Sequence, residues 1–299
     1  MKIIYGQPAT TFTIAGTGAS FVTPSSALVN GRPADATRIQ WLSGSQTTSS
    51  VVTITGTFAS AISASAAALL MPNIPTALPA GVKITLAGKL SGSSVALGGN
   101  TLTARTVTLP NGATAIPWVF PATNIDQYVL TIYNDKNGST WATASQYVDL
   151  GESLCAKSAD FGIANDVLWD YEGGLLQRQS HNNQAWPLQV QPFRVLTVNV
   201  IPMLSAVAIG PNPEQDDFQT VLNQITTSPR CALIPKYMLQ GYGAAPLGGA
   251  PPPSITSSTI DAQQLARNFI FGVVDSPPQM KLNGDKYYVS PIKLGETPP

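Results

Sequence analysis

The residues of this sequence that are best able to do chemistry are four carboxylates in one stretch, namely Asp160, Asp166, Asp170 and Glu172. A pair of carboxylates can hydrolyse a glycosidic bond when the fold holds them at the required separation. A strand at 167–171 would place Asp166 and Asp170 on one face, with Leu168 between them. A solvated strand face has the same pattern, and no neighbouring residue favours catalysis. We therefore expect surface charges, and a glycoside hydrolase is the less favoured alternative.

The sequence contains no other catalytic or metal-binding arrangement that we recognise. His181 is the single histidine, and no G-x-S-x-G motif provides a serine nucleophile for a triad. A zinc site needs three or four nitrogen or sulfur ligands, more than one histidine and two separated cysteines supply. There is no phosphate-binding G-x-x-x-x-G-K-[ST] or G-x-G-x-x-G motif. We predict no catalytic, cofactor or metal site, and we expect that the chain is not an enzyme.

The two cysteines, Cys155 and Cys231, are too few for a disulfide framework. They could form one bridge with each other. The N-terminal residues have too short an apolar run for an export signal, which favours reduced thiols and a protein made in a cytoplasm.

The low charge of the chain restricts its partners. Only 11% of residues are charged, and 16 basic residues balance 16 acidic ones. Nucleic-acid binding would require a basic patch, which the sequence lacks. The longest apolar run, Ala66 to Met71, is far below the roughly 18 residues of a membrane span. So few charges suggest that other protein covers much of the surface.

The first half of the chain is predicted to consist of short strands, which must position any functional site in it. Residues 1–150 are rich in Ser, Thr, Ala and Gly, and Pro or Gly separates short apolar runs. The sequence Asp135-Lys136-Asn137-Gly138 is typical of a hairpin turn. We predict strands at 10–14, 39–42, 51–58, 82–86, 102–109, 127–133 and 141–148. This pattern predicts an antiparallel β-sandwich or jelly roll without helices.

The second half, residues 151–299, is predicted to be a β-rich α+β module. A strand at 167–171, a turn at Gly173-Gly174 and an alternating strand at 194–200 predict a hairpin. Pro187, Pro192 and Pro202 should mark its ends or edges. One amphipathic helix is also predicted. Acidic residues precede an apolar series with the spacing i, i+3, i+4, i+7, which consists of Phe218, Val221, Leu222 and Ile225.

Later segments of the second half include an arm and two more strands. The Gly/Pro tract at 241–258 is predicted to be a surface loop or an arm that lies along a neighbouring subunit. Strands are expected at 268–274 and 287–292, with a turn at Asn283-Gly284. The tail from Gly295 onward should fray.

The stretch from Ala27 to Ser43, with its Asn-Gly-Arg-Pro element and Trp41, resembles the opening of a galactose-binding-like (discoidin-type) jelly roll. The stretch from Tyr128 to Ser153 resembles the last hairpin of that family. In virion proteins of tailed bacteriophages, a similar domain precedes a module that begins near Asp-Phe-Gly. Residues 160–162, Trp169 and residues 194–197 resemble that module. The tract 43–50 and the Gly/Pro tract depart from the pattern.

The jelly-roll resemblance implies sugar binding through loop aromatics and polar side chains, with Arg32, Asp35, Arg38 and Trp41 as candidates. Trp41 follows Ile39 in a predicted strand, so a core position is the favoured interpretation for it. Calcium needs clustered oxygen ligands, whereas the aspartates of this half are scattered, so no calcium site is predicted.

The sequence is interpreted as a non-enzymatic structural component of a tailed-phage virion, in the tail or tail tip. It would act by symmetric self-assembly, as a trimer or hexamer, and by contacts to neighbouring virion proteins. The alternative is a carbohydrate-binding protein that recognises a host-surface glycan through the N-terminal jelly roll. That alternative requires Trp118 and Trp141 to be exposed for sugar stacking.

Overall fold

The computed structural model describes residues 1–6, 8–16, 19–41, 46–72, 78–97, 104–109, 113–142, 146–161, 164–179, 185–210, 216–227, 231–235, 266–275 and 277–297. In these ranges the chain is mainly β, as predicted. The strands of the first half are β1 (Lys2–Tyr5), β2 (Thr11–Gly16), β3 (Ala19–Phe21), β4 (Thr37–Trp41), β5 (Val51–Leu70), β6 (Val82–Leu90), β7 (Ser93–Val95), β8 (Ala104–Thr108), β9 (Ala115–Lys136) and β10 (Tyr147–Leu150). Those of the second half are β11 (Ser153–Asp160), β12 (Ala164–Gln179), β13 (Ala185–Val200), β14 (Met203–Leu204), β15 (Cys231–Ile234), β16 (Ile270–Val274), β17 (Met280–Asn283), β18 (Lys286–Val289) and β19 (Ile292–Glu296). The α-helices with defined bounds are α1 (Ser205–Ala208) and α2 (Phe218–Thr227); a 3-10 helix spans Ser25–Val29, and residues 266–268 form a helical turn.

The first half is an antiparallel β-sandwich, which confirms the predicted fold class. A large sheet carries β2, β5, β9, β6 and β8, and a small sheet has the strand order β10-β4-β3. One apolar core contains Ile39, Trp41 and Val148 of the small sheet together with Ile54 and Leu130 of the large one. These side chains alternate with polar ones along each strand, because successive residues of a strand point to opposite faces.

The large sheet continues into the second half of the chain. The end of β5 pairs with β11, β11 pairs with β1, and β1 pairs with β15. Strands β16, β19, β13 and β12 then complete the sheet, and β12 is its last strand. The predicted division into domains at residue 151 stays a prediction.

The predicted amphipathic helix is present as α2. Phe218, Val221, Leu222 and Ile225 are all buried and pack in the core of the second half. The acidic residues precede the helix rather than forming its first turn, and Asp217 caps it by accepting a hydrogen bond of 2.9 Å from the backbone N–H of Thr220. Such a cap satisfies one of the unpaired N–H groups at a helix start.

The predicted hairpin is present, but its predicted turn at Gly173-Gly174 is wrong. Strand β12 runs on to Gln179, and its pairing with β13 continues from Gly174 opposite Val190 to Gln179 opposite Ala185. The register shifts between Glu172 and Gly174, so the glycines lie beside a bulge rather than in a turn.

The prediction that the prolines mark strand ends or edges is confirmed: Pro187 and Pro192 lie inside β13 where β19 does not pair with it, and Pro202 follows Val200, the last residue of β13. Pro187 is opposite Gln177 of β12, whereas β19 pairs with β13 only between Val195 and Val198. Proline is tolerated there because it needs no second hydrogen-bonded neighbour at that point.

The two predicted Asn-Gly turns are confirmed by their backbone. Asn137, Gly138 and Gly284 have φ values of 52°, 85° and 66°, in the left-handed region that Asn and Gly adopt most readily. The predicted fraying from Gly295 is wrong up to Glu296, which is paired with Gly272. His181 and the Gly/Pro tract 241–258 lie outside the described residues.

Within the ranges given above, no helix is long and apolar enough to cross a membrane.

Candidate functional site

The four carboxylates of the sequence do not converge on one site. Asp166 and Asp170 are exposed on one face of β12, with exposed Leu168 between them. Glu172 binds the ammonium group of Lys293 at 3.1 Å. Asp160 lies on β11 and is 3.5 Å from the N-terminal amino group. This is the solvated strand face that the pattern favoured, and the absence of enzymatic activity stays a prediction.

Both cysteines are free and buried, so they do not form the bridge that the sequence left open. Cys155 packs in the core of the sandwich and Cys231 in the core of the second half. Burial raises the pKa of Cys231 to about 12 and that of Cys155 further, because an apolar interior disfavours the thiolate.

We predict that neither thiol reacts while the chain is folded, because the thiolate is the reactive form. Treatment with a thiol-specific reagent near pH 8 should label no cysteine in native protein and both cysteines in denatured protein. Rapid labelling of either cysteine in the native state would contradict the buried positions.

Of the two tryptophans proposed for sugar stacking, Trp118 is not available for it, and Trp141 is only partly exposed. Trp118 is buried in the sandwich core. Trp141 packs edge-on against Trp41, with ring centroids 5.8 Å apart, and donates its indole N–H to the carbonyl of Tyr133 at 2.9 Å. The requirement that Trp118 and Trp141 be exposed is therefore not met. Trp41 is fully buried, which confirms its predicted core position.

Two further candidates, Arg32 and Asp35, form an exposed turn rather than a site. Their closest charged atoms are 4.0 Å apart, and both side chains are largely exposed. The backbone N–H of Asp35 donates to the carbonyl of Arg32, which closes the turn ahead of β4. Such an exposed pair contributes little to stability.

Arg38, the remaining candidate, lies on the outer face of the small sheet. In the register of that sheet, Arg38 is opposite Asp149, while Gln40 is opposite both Tyr147 and Ser20. Opposite residues of an antiparallel pair share a face, and so do residues two apart along a strand. We call this surface, made of Ser20, Arg38, Gln40, Tyr147 and Asp149, the Arg38 face.

The guanidinium of Arg38 is fixed by two neighbours. Its Nε and Nη2 donate to the two carboxylate oxygens of Asp149 at 2.8 and 2.9 Å, a bidentate geometry. Its central carbon lies 4.5 Å from the ring centroid of Tyr147. These hydrogen bonds from Arg38 to Asp149 raise the pKa of the guanidinium, so Arg38 stays charged at any physiological pH.

The exposure of each side chain on the Arg38 face shows whether it can contact a ligand or only holds a neighbouring side chain in place. Asp149 is buried, so it positions Arg38 rather than touching a ligand. Tyr147 is 44% exposed, and Arg38, Gln40 and Ser20 are partly exposed. Nη1 of Arg38 makes no hydrogen bond to the described residues, and the side chain as a whole is 37% exposed.

Sequence reasoning missed Tyr147, Asp149, Gln40 and Ser20. The alternation of polar and apolar residues in 37–41 and 147–150 shows which residues share a face of each strand. It does not show that β4 pairs with β10, since Arg38 and Asp149 are 111 residues apart. Only the structure shows that β4 and β10 are paired.

No group of three or more metal-ligating side chains that could hold a metal ion occurs among the described residues.

No family model and no curated protein matches the sequence. Solved structures similar to the chain include the lectin domain of lectinolysin complexed with Lewis B antigen, with a TM-score of 0.34, 13% identity, and coverage of 49% of this chain and 93% of that one. Another is the family 32 carbohydrate-binding module of NanJ from C. perfringens with galactose, with a TM-score of 0.31, 15% identity, and coverage of 53% and 100%. A third, the GH31 module CBM32-2 bound to GalNAc, has a TM-score of 0.32, 14% identity, and coverage of 49% and 97%. These are carbohydrate-binding domains, and none is a virion protein. These TM-scores are too low to carry an argument about function.

Proposed function

We propose that the chain is a non-catalytic glycan-binding protein and that the Arg38 face is its binding surface. The observation that carries the proposal is the exposed ring of Tyr147 beside a guanidinium that Asp149 holds in place. An exposed ring next to a few fixed polar groups is typical of small-molecule recognition.

The charge of the Arg38 face favours an uncharged, polyhydroxylated ligand. The positive charge of Arg38 is balanced by Asp149, so an anion would gain little from binding there. The free N–H groups of Arg38 can donate to a sugar hydroxyl, and the amide of Gln40 can both donate and accept. The ring of Tyr147 offers an apolar surface for the C–H face of a pyranose. A neutral sugar uses all three features.

The test is a calorimetric titration of the purified chain with galactose, GalNAc and a Lewis b oligosaccharide. We expect binding of at least one sugar, and we expect Tyr147→Ala and Gln40→Ala each to weaken it by at least about tenfold. Arg38→Met should abolish binding, but it also removes the guanidinium that pairs with Asp149, so a melting curve must accompany it.

The matched control is Arg32→Met, which removes the same charge from an exposed position in the neighbouring turn. Binding should be unchanged in this variant. Equal weakening by Arg32→Met and Arg38→Met, or wild-type affinity in Tyr147→Ala, would overturn the assignment of the Arg38 face.

A second candidate function is structural: symmetric self-assembly in a tailed-phage virion, with contacts to other tail proteins. The observation that favours assembly is that the hairpin of β12 and β13, at the end of the large sheet, extends well past β19. From Ala185 to Phe193 the ladder joins β13 to β12 alone. A two-stranded ribbon is marginally stable without further packing, and an open strand edge can pair with another chain.

Light scattering during size-exclusion chromatography, at several concentrations, tests the second candidate. A trimer, a hexamer or concentration-dependent growth is expected, followed by rings or tubes in electron micrographs. A strict monomer at every concentration would contradict self-assembly and would leave the glycan proposal unaffected.

A further inference from the structure

Two exposed aspartates on β12 flank an exposed leucine. Asp166, Leu168 and Asp170 alternate on one face of the strand, and Leu168 is 62% exposed. Neither aspartate forms an ion pair with any residue that the structure describes, whereas Glu172 is neutralised by Lys293. We call these three residues the acidic strip. Its strand is the last of the sheet, so no strand of the sheet lies along its outer edge.

The opposite arrangement occurs on the three-stranded sheet β14-β18-β17. In its register Leu204 is opposite Lys286, and Lys281 is opposite Tyr288, so all four lie on one face. Leu204 is 56% exposed and Tyr288 is 44% exposed. Both lysines are exposed and make no ion pair within the described ranges. We call these four residues the lysine face. Asp285 in the adjoining turn is also exposed, and two lysines against one aspartate leave the surface net positive.

We infer that the acidic strip of one copy of this chain binds the lysine face of a second copy. The two surfaces have opposite charge and each carries exposed apolar side chains, while no ion pair among the described residues joins them within one chain. Contact would bury Leu168 against Leu204 and Tyr288, and the aspartates would meet the lysines. The apolar burial supplies affinity, and the charges select the orientation.

This contact is independent of the glycan proposal. It names the surfaces through which the self-assembly of the second candidate function would run. Because the pairs are at the surface, association should weaken as salt rises. The acidic strip of one copy can meet the lysine face of another either in a two-fold dimer or in a ring. The mass from light scattering distinguishes these two assemblies.

The experiment uses two charge-reversed full-length chains. One carries Asp166→Lys and Asp170→Lys, and the other carries Lys281→Glu and Lys286→Glu. All four positions are exposed, so both chains should fold, which circular dichroism checks. Each variant alone presents two surfaces of like charge and should remain monomeric. In an equimolar mixture every contact between the two variants has opposite charges, so the mixture should associate, as a dimer or as a ring with an even number of subunits.

The matched control is Lys136→Glu, a charge reversal at an exposed hairpin position of the first half, which should leave association unchanged. Wild-type association in either double variant alone, or a mixture that stays monomeric although the wild type associates, would overturn this contact while leaving assembly intact. A wild type that is monomeric at all concentrations would overturn both the contact and the assembly candidate.

Discussion

Replacing Trp118 with alanine should lower the free energy of unfolding by about 4 kcal/mol, the range found for large aromatic side chains in cores. Trp118 is 1% exposed and packs in the sandwich core on β9, opposite Ala67 of β5. Alanine would remove most of the buried apolar surface at this point and leave a cavity that the surrounding close-packed core fills only in part. Chemical denaturation followed by circular dichroism measures the change.

Trp118→Phe is the matched control for this prediction. The indole N–H of Trp118 has no hydrogen-bond partner among the described residues, so phenylalanine removes an unsatisfied polar group as well as some volume. We expect the loss of stability to be less than about half of that for alanine. An alanine variant as stable as the wild type, or one that loses sugar binding without losing stability, would instead restore Trp118 as a ligand residue.

Replacing Arg194 with methionine should lower the free energy of unfolding by about 3 kcal/mol, because it leaves a largely buried carboxylate without its partner. Arg194 forms an ion pair with Glu296, and both side chains are largely buried. Its Nη1 donates to the carbonyl of Arg267 at 2.9 Å and its Nη2 to that of Phe269 at 3.0 Å. The guanidinium also lies 5.4 Å from the ring centroid of Trp169. One side chain thus joins β13 to β19 and to the segment ahead of β16.

Two further variants test whether the specific contacts of Arg194 cause the expected loss of stability. Arg194→Lys keeps the charge but loses the planar fork of donors, so it should recover only part of the stability. Lys293→Met removes an exposed lysine that bridges Glu172 and Asp275, and it should change stability far less. Thermal melts of the three variants should rank Arg194→Met lowest and Lys293→Met closest to the wild type. Any other ranking would show that the Arg194 contacts are weaker than their geometry indicates.

Local patterns predicted the elements whose determinants are close in sequence. The apolar spacing of Phe218, Val221, Leu222 and Ile225 gave α2, and the Asn-Gly pairs gave their turns, because a helix face or a turn is decided within a few residues. Local patterns also underestimated the length of the hairpin β12–β13, because its pairing depends on more than a few neighbouring residues. Gly173-Gly174 is a turn by local chemistry, but cross-strand pairing and a bulge carry the strand through it.

The candidate site could be predicted only in part. Arg38 was identified, and Trp41 was expected in the core, since the alternation in 37–41 gives the two faces of β4. Asp149 and Tyr147 contact Arg38 because β4 pairs with β10. That pairing is a tertiary contact, which local sequence does not reveal. Trp118 was misassigned because a loop position inferred from the sequence does not reveal burial, and this residue packs in the sandwich core.

The most direct test of the Arg38 face is a nuclear magnetic resonance titration of the chain with its tyrosine rings isotopically labelled. Tyr147 and Tyr288 are equally exposed, at 44%, so Tyr288 is an internal control that lies on the lysine face. Adding the sugar that binds by calorimetry should shift the ring resonances of Tyr147 and leave those of Tyr288 in place. Shifts confined to Tyr288, or a bound sugar that moves no resonance of Tyr147, would contradict glycan recognition at the Arg38 face.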